Sequence, residues 1–157
     1  MLCFTISNKD IKNAIFIPKY YDPSIIEDTE QLKETHILYT IGQLIDDGFI
    51  TVQTGHEIGK LAYGTGNIPF VRTSDITNWE IKTIPKQGVS EEIYKEYASK
   101  EKIQIGDILL VRDGSYLIGT NCMVTLLDLP ILFQSHILKF HINDNELFDK
   151  YLFFFEP

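Results

Sequence analysis

The chain has 157 residues, 44% of them apolar and 23% charged, with a formal net charge of −8. This is one domain's worth of ordinary globular composition, which excludes general disorder. The acidic balance argues against a protein that coats nucleic acid non-specifically, although it leaves room for a small basic face.

Cys3 and Cys122 make neither a disulfide framework nor a C-x-x-C pair, so buried, reduced thiols in a cytoplasmic protein are expected. No apolar run exceeds five residues, and no basic region followed by a long apolar segment opens the chain. No membrane partner and no export signal are expected.

In chain order, Ala14–Ile17 reads as a strand closed by Pro18, followed by the aromatic turn Lys19-Tyr20-Tyr21-Asp22-Pro23. One or two helical turns are expected near Ile25–Leu32 and a strand at Ile37–Thr40. A short helix over Ile41–Asp46 should stop at Asp47-Gly48, and the alternating Ile50–Thr54 should be a strand. Residues 55–67 hold four glycines and read as a loop. Gly64-x-Gly66 is no dinucleotide fingerprint, because it lacks the third glycine and precedes a strand instead of a helix.

Ile68–Arg72 is a short apolar strand that delivers Arg72, Thr73, Ser74 and Asp75 just past its end. Ile81–Ile84 is another expected strand. Ser90–Lys100 is the clearest helix, with Ser90 as N-cap, acids in the first turn, and Ile93, Tyr94, Tyr97 and Ala98 on one face. Asp107–Arg112 repeats the earlier pattern, an apolar strand ending in Arg112-Asp113-Gly114, followed by a hairpin-like piece around Ser115 and Tyr116.

Asn121–Leu127 and the long Ile131–Ile142 read as extended. His136 is taken as a core histidine sharing a face with Leu138, Phe140 and Ile142. An aromatic helix over Glu146–Phe155 should close the chain and want a partner. Short strands outnumber helices, so the expected fold is α+β with a mixed or antiparallel β core. One domain over 1–157 is expected, with its core in 14–142.

His136 and His141 stand five apart on an extended chain and cannot share a metal, and neighbouring Ser135 and His136 diverge, so they form no nucleophile–base pair. Glu80-Ile81-Lys82 fits the E-x-K element of Mg²⁺-dependent nucleases, a three-letter match for which a solvated strand face is the plainer explanation. The arginines are different. A planar guanidinium matches guanine O6/N7 or a phosphate bidentately, and Thr73, Ser74, Asp75, Ser115, Tyr116, Gln134 and Ser135 would supply further polar groups. The competing reading for each arginine is a surface ion pair with Asp75 or Asp113.

These residues form a spaced pattern: Gly66-x-Ile68-Pro69-Phe70-x-Arg72-x-x-Asp75-Ile76, then Val89-Ser90-Glu91-Glu92-x-Tyr94. Gly106-Asp107-Ile108-Leu109-Leu110-x-Arg112-x-Gly114 follows, then Gln134-Ser135-His136-Ile137-Leu138 and Tyr151-Leu152-Phe153. The pattern resembles the target recognition domain of type I restriction–modification specificity subunits, with similar domains in type IIG restriction–methylation enzymes. The resemblance implies a non-catalytic bacterial host-defence module without cofactor. It would read one half of a split double-stranded DNA target and present it to a methyltransferase subunit and, in the full complex, to an ATP-driven nuclease subunit. Residues 146–157 would begin a spacer. The alternatives are a nuclease using Glu80 and Lys82, or an interaction module docking through the last helix.

Overall fold

In the computed structural model, residues 3–12, 16, 18–77, 79–114 and 116–143 are described. Apart from residue 16, the expected strand at 14–17 lies outside them, as does the aromatic helix at 146–155. The chain divides into two units, 1–40 and 41–157.

In the first unit, α1 (Pro23–Thr35) is longer than the two turns expected. Asp22 caps it, accepting from the Ser24 amide at 3.0 Å, and Pro23 occupies the first turn, where its missing N–H costs nothing. No residue of α1 is buried. Residues 37–40 are exposed and do not take up strand structure, so the strand expected there does not form.

The second unit is α+β. It opens with α2 (Ile41–Asp46), which ends as expected where Gly48 takes φ +77°. β1 (Ile50–Thr54) follows, then β2 (Ile68–Val71), the small hairpin of β3 (Ile76–Thr77) and β4 (Glu80–Ile81), and β5 (Gly88–Val89). The helix α3 (Glu91–Glu101) has the Ser90 hydroxyl on the Ile93 amide at 3.4 Å. β6 (Ile108–Val111), β7 (Asn121–Met123), β8 (Leu132–Phe133) and β9 (Ile137–Ile142) complete it. The strand expected over Ile81–Ile84 stops at Ile81, and Ile84 is 85% exposed. The extended run at 131–142 is broken by a turn at Gln134–His136.

Four strands form an antiparallel sheet in the order β1-β9-β6-β7, and three form a mixed sheet, β5-β2-β8, in which β2 and β8 run parallel. Leu109, Val111 and Ile137 face a core shared with Val71, Ile76, Phe133 and Cys122. Ile50, Ile108 and Ile142 pack on the opposite face with Leu44 of α2. Phe70, Val89 and Leu132 pack against Ile93, Tyr94, Tyr97 and Ala98, so α3 buries the face its sequence marks.

Covering both faces of the large sheet explains a correction. In β9, Ile137, Lys139 and Ile142 are buried, while Leu138, Phe140 and His141 are only partly so, because successive residues enter different packed layers. Cys122 is buried as expected, and burial pushes its thiol up to about 12, with Asp128 adding to the shift. Cys3 is exposed, contrary to expectation. Among the described residues no helix is long and apolar enough to cross a membrane.

Candidate functional site

Strand direction brings the two arginine ends together. β2 and β8 are parallel with Val71 beside Phe133, so Arg72 and Gln134 leave the sheet side by side, and the Gln134 amide donates to the Val71 carbonyl at 2.9 Å. β9 begins after the 134–136 turn and pairs antiparallel with β6, Ile137 opposite Val111, which places Arg112 against that turn. The Arg112 amide donates to the His136 carbonyl at 2.9 Å. β1 ends there too, with Thr54 opposite Leu138. The C-terminal ends of β1, β2, β6 and β8 therefore share one edge. It carries Arg72, Arg112, Gln134, Ser135, His56, Glu57 and His136.

Arg72 is half-buried, its guanidinium carbon 5.9 Å from the centre of the Tyr63 ring. Among the described residues its Nε is buried without a hydrogen-bond partner. Its backbone amide donates to Asp75 Oδ2 at 3.1 Å. Arg112 is 44% exposed at the side chain and its Nε donates to Asp113 Oδ2 at 2.6 Å, the surface ion pair weighed from the sequence. That contact uses one of five guanidinium N–H donors.

Asp75 does not belong to a contact surface. It is fully buried, with its carboxylate on the Arg72 and Lys86 amides and its carbonyl accepting from the Lys82 amide. A buried carboxylate of this kind is satisfied by local backbone donors and closes the Thr73–Asp75 turn. Thr73 and Ser74 stay partly accessible on that turn. Tyr116 is 95% exposed, and Ser115 lies outside the described residues.

His136 is not a core histidine. Its side chain is 40% exposed in the turn, with Nδ1 hydrogen-bonded to Asp113 Oδ1 and Nε2 at 4.0 Å from Glu57 Oε1. The Ser135 hydroxyl donates to the same Glu57 carboxylate. Hydrogen bonds from His136 and Arg112 hold the Asp113 carboxyl below the usual range. Gly114 turns at φ +77°, where a Cβ would stand 3.1 Å from the His136 ring, so glycine lets the two loops meet.

Behind the edge lies a buried polar network. His56 Nδ1 and Glu101 Oε1 are 3.0 Å apart, and Glu101 Oε2 accepts from the Phe133 amide at 3.2 Å. Lys139 donates to the Glu101 and Lys102 carbonyls and lies 3.6 Å from Asp107, which also holds His141 at 2.7 Å. Its sequence signal is a lysine between apolar neighbours in a strand. Glu101 gives no signal, reading as one more of the charged, solvated side chains of α3.

Lys82 of the E-x-K triplet donates its ammonium to the Ser74 carbonyl. Among the described residues no three His, Cys, Asp or Glu side chains are arranged to hold a metal ion. No family model, curated protein or solved structure matches this chain.

Proposed function

We propose that the chain is a sequence-specific DNA recognition module of the restriction–modification type, with no catalytic residues of its own and a methyltransferase as its partner. The observation that carries this reading is the convergence of Arg72 and Arg112 on one edge, one with an orphaned buried Nε above Tyr63 and the other partly exposed with its Nε on Asp113. Orphaned donors favour a ligand that supplies acceptors, and guanine O6/N7 or a phosphate does so for an arginine fork. Gln134, beside Arg72, has the donor–acceptor pair that matches adenine N6/N7.

Glu57 and Asp113 make the edge mixed in charge, so binding rests on a few oriented contacts more than on a basic field. Selection of bound duplexes from a randomised pool, followed by anisotropy titration, tests the reading. Arg72→Ala or Arg112→Ala weakens the selected duplex by about 1–3 kcal/mol and relaxes one target position. Unchanged target choice with both substitutions present overturns it.

A further inference from the structure

The β3–β4 hairpin carries a feature the recognition edge does not use. Thr77 pairs with Glu80 across the hairpin, and Trp79, immediately before Glu80, takes φ +76°. A positive φ favours glycine, because a Cβ is strained in that region. A bulky aromatic at such a position is an outlier, and strain of this kind gathers at ligand sites.

Trp79 lines a cavity of about 370 Å³ whose walls include Pro69, Met123 and Ile131, with Glu80 and Asp128 among its polar groups. The volume is that of a small-ligand site. The charge inside selects the ligand. Glu80 and Asp128 bring two carboxylates against the single ammonium of Lys82, which donates to the Ser74 carbonyl, and one Asp128 oxygen, Oδ2, also accepts from the Thr125 amide and hydroxyl. Phosphates and carboxylates are repelled, while a cation gains from both acids and from the indole face. Among cations a guanidinium fits best, being planar for stacking and rich in donors for carboxylates.

We propose that this cavity binds a guanidinium group, such as an arginine side chain, stacked on Trp79 and held by Glu80 and Asp128. The site is separate from the arginine edge: Pro69 and Ile131 stand toward the starts of β2 and β8, and Arg72 and Gln134 leave from those strands' other ends.

Trp79 is the only tryptophan of the chain, so intrinsic fluorescence reports on the cavity directly. Titration of the full chain with N-acetyl-arginine amide should give a saturable change, and the citrulline analogue, matched in shape but uncharged, should not. Glu80→Gln, at an exposed position, should weaken binding about three- to tenfold. Trp79→Gly should leave the thermal midpoint unchanged or raised, because it relieves the turn. Absence of saturation, equal binding of citrulline, or full affinity in Glu80→Gln overturns the proposal. So does a drop in midpoint on Trp79→Gly as large as a core truncation gives, since it would assign the ring to packing.

Discussion

Glu101 shows what a single residue can hide. Its place at the end of a helix whose other charged side chains are solvated suggests a surface charge, yet it is 1% exposed and serves the Phe133 amide and His56. Burial raises its carboxyl from the ordinary 4.5 to about 7, outweighing the hydrogen bonds from His56 and Phe133 that pull it down. A carboxyl whose pKa is higher folded than unfolded binds more protons in the native state between those two values. Its contribution to stability is therefore greatest below pH 4.5 and is lost as pH rises through about 7. Glutamine keeps an acceptor for the Phe133 amide and carries no charge to bury. Glu101→Gln should thus be more stable than the parent at pH 8, by about 1–3 kcal/mol, and nearly equal at pH 5. Denaturant unfolding at the two pH values checks this, and equal stability at both would refute it. Charge is printed in a sequence but its desolvation is not, because partners such as Phe133 are supplied by strands far along the chain.

At the scale of elements, local signals carried most of the fold. α2 and α3 formed where caps, first-turn acids and Gly48 mark them, and β1 matched its alternation. The break at Gln134–His136 was not legible, because no glycine or proline marks it and Ile131–Ile142 is apolar enough to read as one strand. What enforces that break is tertiary. Gly55, past the end of β1, lies against the turn so closely that a Cβ would stand 2.2 Å from the Phe133 carbonyl oxygen and 2.5 Å from that of Gln134. Both obstacles are backbone, so no rotamer change relieves them. Gly55→Ala should cost about 1–3 kcal/mol by forcing β1 from β8. It should also weaken duplex binding, because the displaced Gln134–His136 turn carries edge residues. Chemical denaturation paired with anisotropy reads both, and a variant as stable as the parent would show that the close approach is dispensable.

For the whole molecule, the convergence of Arg72 and Arg112 is the part no local pattern could supply. It depends on the parallel pairing of β2 with β8, which stand about sixty residues apart, and on β9 turning back beside β6. The sequence shows two strand ends with arginines; only topology puts them on one edge. The same accounting separates the two units. Every buried apolar side chain among the described residues lies between Leu44 and Ile142, and α1 buries none. Folding free energy scales with apolar area removed from water, so the stability of the second unit should come from its own core. A chain beginning at Ile41 retains Leu44, the nine strands of the described residues and both arginines, and should melt within about 4 °C of the full chain, the shift that about 1 kcal/mol makes at this size. It should also select the same DNA target. Calorimetry and the duplex selection measure the two properties. If melting falls much further while target choice survives, residues 1–40 brace the second unit. If target choice changes with melting intact, α1 takes part in reading DNA, and the recognition surface extends beyond the strand-end edge.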